Sequence, residues 1–284
     1  MHTQAKDTPA AGAARRLIVN ADDFGRSRGI NAAVIRAHRE GILTTASLMV
    51  NEPAGDEAVA LARENPRLGV GLHLTLVCGR SALPAERIPG LVNGEGKFND
   101  CPVAAGFRYY AQRRLAAQLE TEMAAQFEKF AATALPLDHV NGHLHLHLHP
   151  VVFGILMRNA DRWRIRRTRL TCEPFWLNTR LAGGRWFYRA SHAAIYRLLS
   201  RNARPRLREK NIMHTQAVFG LLQNAGVDEA YLARLLPVLP AGDSELYSHP
   251  SLDQYPHEFE ALVSPRVKAL VEALDIKLIR YQDL

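Results

Sequence analysis

Three short segments, far apart in the chain, bring two adjacent carboxylates and a set of imidazoles to the ends of apolar runs: Asn20-Ala-Asp-Asp-Phe-Gly25, Gly71-Leu-His-Leu74 and His139-Val-Asn-Gly-His-Leu-His-Leu-His-Leu-His-Pro150. Hydrolysis at a divalent metal calls for about three protein ligands, an open position for water and a nearby base. Carboxylates and imidazoles meet those needs. The pattern therefore reads as a mononuclear metal site carried on strand ends.

Asp22 and Asp23 directly follow the strand-like run Leu17 to Asn20, so both leave it at its C-terminal end, one toward a metal and its neighbour toward water. The alternative is a helix N-cap, because Asp accepts backbone N–H bonds ahead of a first helical turn. His73 shares a strand face with Thr75, opposite Leu72, Leu74 and Leu76; a lone strand histidine is more often a hydrogen-bonded core residue than a ligand. His143, His145, His147 and His149 alternate with leucines, which on an extended chain displays four imidazoles on one face. Same-face neighbours on a strand stand about 7 Å apart, too far for all four to reach one ion at about 2.1 Å. One ligand is expected from this run, with His145 and His147 beside it, although such a tract could also bind metal adventitiously. His249, in Glu245-Leu-Tyr-Ser-His-Pro250, would face this group across a barrel mouth, and Arg164 and Arg167 are candidates to orient a carboxylate base.

Elements must hold these residues in place. Short apolar runs at 16–20, 44–50, 69–76, 137–141, 164–170, 216–221, 245–248 and 276–279 alternate with helical stretches near 28–40, 55–64, 115–132, 151–161, 228–236 and 257–273. That alternation predicts one α/β domain over 15–284, a distorted parallel (β/α) barrel of about seven βα units, with an open doubly wound sheet as the alternative. Insertions near 78–107 and 171–211 follow strand-like runs, where barrel loops build a binding face. Residues 1–14 read as a frayed tail.

With 47% hydrophobic and 23% charged residues, the chain is ordinary for a globular protein, and it contains no apolar run long enough to span a bilayer. Three scattered cysteines, Cys78, Cys101 and Cys172, suit neither a disulfide framework nor a metal knuckle, so a cytoplasmic setting is expected. The net charge of +8 is concentrated: 158–210 holds 15 Lys and Arg against three acids, a net +12, leaving about −4 elsewhere. Tryptophans and tyrosines interleave with that charge, a composition shared by membrane-surface and nucleic-acid-binding segments and also by a solvated helix face.

The first two motifs, the His139 to Pro150 run and the late Ser248-His-Pro250 together resemble the YdjC-like carbohydrate deacetylase family, over most of the chain from Arg16 to about Ser251. The finer resemblance is to its hopanoid-biosynthesis-associated branch, through Gly71-Leu-His-Leu-Thr-Leu-Val-Cys-Gly-Arg80, Arg113-Arg-Leu-Ala-Ala-Gln118 and Leu135-Pro-Leu-Asp-His-Val-Asn-Gly-His143. The resemblance implies a distorted (β/α) barrel and metal-dependent hydrolysis of an N-acetyl sugar amide. By motif, Asp23, His73 and His143 match the metal ligands, Asp22 the base that activates water, and His249 the acid that protonates the leaving amine. Asn20, His145, His147, Arg164 and Arg167 are expected around them. In one departure, Asn141 and Leu144 stand where many relatives have an acidic residue and a third histidine.

One divalent ion is expected, magnesium by resemblance or zinc by ligand type. The substrate implied is an N-acetylglucosaminyl group on a hopanoid lipid. Soluble chitooligosaccharides, another metal-dependent hydrolysis such as that of a phosphoester, and a non-enzymatic nucleic-acid- or metal-binding role are the alternatives; nucleic acid is not the expected partner. A lipid-linked sugar would bring the protein to the inner face of a membrane, with 186–208 as the contact, Trp186, Phe187 and Tyr188 as anchors and Arg197, Arg201, Arg204 and Arg206 at the headgroups.

Overall fold

Leu17, Ile18 and Val19 are fully buried, a continuous apolar run of the kind that marks a strand covered on both faces. In the computed structural model, which describes residues 14–284, they form the centre of β1 (Arg15–Phe24). The tail expected over 1–14 therefore lies, but for its last residue, outside the described residues. The chain continues through α1 (Arg28–Glu40), β2 (Thr45–Leu48), α2 (Gly55–Arg63), β3 (Gly69–Leu74), α3 (Pro102–Ala111), α4 (Leu115–Ala132), β4 (Val140–Gly142), α5 (Pro150–Asn159), α6 (Phe175–Leu181), α7 (Trp186–Glu209), β5 (Ala217–Phe219), α8 (Glu229–Leu235), β6 (Gly242–Ser248), α9 (Pro256–Val263), α10 (Pro265–Ala273) and β7 (Lys277–Ile279). The helix expected over 257–273 is two helices, because Pro265 has no N–H to continue the ladder and Ser264 caps α10 by accepting from the Val267 amide.

All strand pairings are parallel, in the order β4-β3-β2-β1-β6-β5. β6 lines one edge of β1 over Arg15 to Ala21; the other edge is shared, with β7 at Arg16 to Ile18 and β2 at Asn20 to Phe24. The strand expected over 164–170 is a seam instead. Its backbone bonds β4 on one side (Val140 N–H to Arg167 O, 3.0 Å) and Met213 and Val218 on the other (Thr168 N–H to Met213 O, 3.0 Å; Val218 N–H to Cys172 O, 3.2 Å). The curled sheet is a single-domain distorted (β/α) barrel, with this seam in place of a regular strand.

The two insertions leave the C-terminal side of the strands: 78–107 leads into α3, and 171–211 holds the α6–α7 hairpin. Among the described residues no helix is long and apolar enough to cross a membrane.

Gly71 shows how tightly the interior is filled. A Cβ there would stand 2.5 Å from the His139 ring, which is pinned by Asp138 (3.0 Å) and Ser47 (3.0 Å). Gly71→Ala is therefore expected to destabilise the protein by about 1–3 kcal/mol in urea unfolding. An unchanged midpoint would mean that the ring gives way freely.

Candidate metal centre

β1 does not stop at Asn20. It runs on through a bulge between Ala21 and Phe24, with Asp23 in the left-handed region at φ 65°. The cap of α1 is Ser27, whose hydroxyl accepts from the Ile30 amide. The two aspartates are thus free of the capping role and project from the strand end.

Asp23 Oδ1 lies 2.9 Å from His143 Nδ1 and 3.4 Å from His73 Nε2. These three buried residues offer ligand atoms all within 4.8 Å of one another. Asp23 Oδ1 nonetheless makes no hydrogen bond of acceptable geometry. A buried acceptor left unpaired beside two nitrogens is costly, and one carboxylate with two imidazoles is a donor set suited to a divalent cation. The residues fit a metal. The other oxygen of Asp23 is engaged by Arg26 Nη1 at 3.0 Å, which leaves Oδ1 for the shared position. Burial opposes ionisation of Asp23, yet His143 and His73 hold its carboxyl well below the usual range.

The Asn141 amide stands 2.7 Å from His73 Nδ1. Turned one way, its N–H donates to Nδ1 and its oxygen accepts from Ser47 Oγ and Arg169; turned the other way, its oxygen accepts an Nδ1–H, which leaves the Nε2 lone pair directed at the site, the usual arrangement behind a metal-bound imidazole. In that orientation the Asn141 amide donates to Ser47 Oγ (2.8 Å) and Asp22 Oδ1 (3.3 Å). An amide thus makes the outer contact to His73.

Asp22 belongs to a different interaction. Arg169, fully buried, grips both its oxygens at 2.7 and 2.9 Å and extends to Glu245 at 2.7 Å. Asn20 adds a bond to Asp22 Oδ1 at 2.9 Å. Burial opposes the charge on Asp22, but Arg169 and His73 hold its carboxyl far below the ordinary range. The arginine that orients this carboxylate is Arg169, not Arg164 or Arg167. Arg164 is exposed, with φ 53°, and Arg167 reaches Gln282 O at 3.4 Å. A sequence signal existed: Arg169 lies between Thr168 and Leu170 at the end of the basic stretch, and Glu245 stands directly before the apolar Leu246 and Tyr247.

The histidine run is not a strand. β4 ends at Gly142, and residues 143–148 coil into tight turns with Leu144 (φ 50°) and His145 (φ 57°) left-handed. The expected single face of imidazoles is lost because each positive φ reverses the chain direction. His143 joins the metal group. His145 Nε2 pairs with Tyr247 Oη at 2.8 Å, His147 Nε2 accompanies Arg169 O at 3.0 Å, and His149 Nε2 meets Gly106 O at 3.0 Å. Burial pushes His147 down to about 3 and His145 well below its ordinary value, so both are neutral.

A cavity of about 500 Å³ opens above the group. Asp22, His73, His143 and His249 line it, and its upper walls are largely apolar, from Val103, Leu144, Ile195 and Leu199. Glu258 accepts from the His249 backbone amide at 2.5 Å and steadies that residue. Of the residues expected at the surface, Tyr188 lines the cavity and donates to Leu221 O at 3.2 Å, whereas Arg206 is exposed, its guanidinium 5.5 Å over Phe153.

The YdjC-like protein family matches residues 16–273. Carbohydrate deacetylases of Brevibacillus brevis and Geobacillus stearothermophilus are each 41% identical, over 153 and 151 residues, covering 53% of this chain and 57% and 58% of theirs. A carbohydrate deacetylase of Vibrio campbellii is 33% identical over 153 residues. The matched part thus spans little more than half the length of these relatives. A crystal structure from Enterococcus faecalis, of a protein ascribed to cellobiose-phosphate cleavage, superposes with a TM-score of 0.74 at 22% identity, over 95% of this chain and 99% of that one. At that identity the likeness speaks for the fold alone.

Asp23→Ala, His73→Ala and His143→Ala should each abolish tight binding of one divalent ion in calorimetry, and Asn141→Ala should weaken it about 10–100-fold. His147→Ala should retain it. Stoichiometric metal in two of the three ligand variants, or equal damage from His147→Ala, would overturn the ligand assignment.

Proposed function

This chain belongs to the YdjC-like protein family, and from that premise we propose that it is a carbohydrate N-deacetylase that uses one divalent cation held by Asp23, His73 and His143. The observation that carries the reading is the unpaired Asp23 Oδ1, met by nitrogens of His73 and His143, two imidazoles that line a cavity together with Asp22 and His249. The names of the curated relatives support a sugar substrate.

When bound, the cation supplies Lewis acidity toward an acyl oxygen and toward water. Asp22 is the proton acceptor: Arg169 keeps it ionised and stops it turning, so water entering the cavity meets a base in one fixed orientation. His249, on the loop after β6, returns a proton to the departing amine nitrogen. Apolar walls exclude bulk water from the upper cavity. The cation is magnesium by family resemblance, with zinc favoured by the two imidazoles.

The sugar we propose is an N-acetylglucosaminyl group carried on a hopanoid. The apolar side chains of Val103, Leu144, Ile195 and Leu199 on the cavity walls support an apolar carrier. Such a substrate stands at a membrane surface, and 186–208 supplies the contact at the inner, cytoplasmic face.

The test is acetate release from N-acetylglucosaminyl hopanoid and from diacetylchitobiose, with the metal stripped and restored. Release from the lipid-linked sugar, lost on chelation, is expected; release from neither would overturn the reaction, and preference for diacetylchitobiose would overturn the carrier. Asp22→Asn should keep the metal and lower kcat by roughly 10² to 10⁴. Loss of metal in that variant would mean that the two aspartates have exchanged roles.

A further inference from the structure

Two helices at the cavity mouth turn large apolar side chains into solvent. On α3, Val103, Phe107 and Tyr110 are 79%, 73% and 66% exposed, and their i, i+4, i+7 spacing puts them on one face. On α7, Phe187 and Leu198 are 89% and 59% exposed, with exposed Ala194 on the same face between them. The two helices flank one opening: Val103 and Gly106 of α3 line the cavity, as do His192, Ile195 and Leu199 of α7. Leu144, 41% exposed at its left-handed turn, stands between them. Several large apolar side chains exposed around one opening mark a site of interaction.

Toward its C-terminal end α7 changes character. Arg197, Arg201, Arg204 and Arg208 fall at i, i+4, i+7 and i+11, on a stripe adjoining the apolar one. All four are exposed, and none has an ion pair or side-chain hydrogen bond among the described residues. Two shallow clefts of about 480 Å³ each are walled by Arg201 and Arg204, one together with Arg208 and the other with Arg197. Arg108, Arg113 and Arg114 repeat the pairing at the end of α3.

We propose that α3, Leu144 and α7 form a docking rim for an anionic lipid bilayer, with Phe107, Phe187 and Leu198 entering the interface, the α7 arginines meeting phosphate headgroups, and the cavity mouth turned toward the lipid. The charge is complementary to anionic lipid, and the neighbouring apolar side chains need an apolar phase that a polyanion lacks. A nucleic acid would engage the arginines and leave Phe107 and Phe187 idle. The α3 half of the rim lies outside the basic segment, so charge alone does not point to it. This inference rests on the surface and not on the reaction, so vesicle binding and deacetylation stand or fall separately.

The experiment is co-sedimentation with vesicles of phosphatidylcholine alone and of phosphatidylcholine mixed with phosphatidylglycerol, at low and high salt. It compares the wild type with Phe107→Ser/Phe187→Ser/Leu198→Ser and with Arg201→Ser/Arg204→Ser/Arg208→Ser. None of these six side chains lines the cavity, so unchanged metal binding certifies folding. The wild type should bind the anionic vesicles. The arginine variant should lose about fivefold per arginine at low salt, on the order of a hundredfold together. The apolar variant should lose the binding that survives high salt. Absence of wild-type binding to anionic vesicles at low salt overturns the proposal. So does wild-type-like binding by the apolar variant, or a preference for double-stranded DNA over vesicles that the apolar variant keeps, since both reduce the rim to a polyanion contact.

Discussion

A fully buried guanidinium between two buried carboxylates is the constraint on which the rest of this barrel depends. Removing Arg169, Asp22 and Glu245 from water costs several kcal/mol per ion, and the arrangement is tolerable only when every charge is paired and hydrogen-bonded. Here it is. Arg169 Nε and Nη2 bond Glu245 Oε1 at 2.9 and 2.7 Å, the two terminal nitrogens clasp Asp22, and the guanidinium carbon lies 4.3 Å over the Tyr247 ring. The other Glu245 oxygen takes the Tyr281 hydroxyl. The seam, β1, β6 and the C-terminal turn are thereby joined at one point. Deleting Arg169 would leave two buried carboxylates without their cation, at a cost of about 3–5 kcal/mol.

That ionic centre continues as a hydrogen-bonded layer beneath the metal group. Tyr281 stacks on His139 at 4.3 Å, His139 bonds Asp138 and Ser47, and Ser47 connects Asn20 with Asn141. Asn141 closes the path at His73 Nδ1. A barrel interior would ordinarily be filled by branched aliphatic side chains. This one spends its volume on orienting two aspartates and a histidine, with the aliphatic packing left to the helix-facing side of the strands, where Leu17, Val19 and Leu72 are buried. Rigidity follows from satisfaction: each polar group limits the rotamers of the next.

The outer wall is anchored differently. Arg189 of α7 is almost fully buried and donates to Asn178 O and Ala182 O, each at 2.7 Å, while Glu173 accepts from the Leu222 amide at 2.9 Å and from Asn178. Burial pushes the Glu173 carboxyl up to about 7. These bonds hold the α6–α7 hairpin from its inner side. On its outward side Arg197, Arg201, Arg204 and Arg208 are exposed without such bonds among the described residues.

The sequence alone was enough for whatever depends on local backbone period. Alternating apolar runs and helical stretches locate β1 to β7 to within a few residues, α1 falls on the expected 28–40, and carboxylate and imidazole types at strand ends mark the neighbourhood of the site, from which the family resemblance picks Asp23, His73 and His143. The tertiary structure decided the rest. Arg169 pairs with Asp22 across 147 positions of chain, a contact that leaves no periodic trace, whereas the basic run around it made Arg164 and Arg167 look equally apt. The histidine run has the period of a strand, yet the left-handed residues Leu144 and His145 coil it beneath the cavity, because packing of the turn against β3, α5 and α7 outweighs a local preference for extension. An ion pair or a reversed turn is paid for by long-range contacts, and those exist only once the barrel has closed.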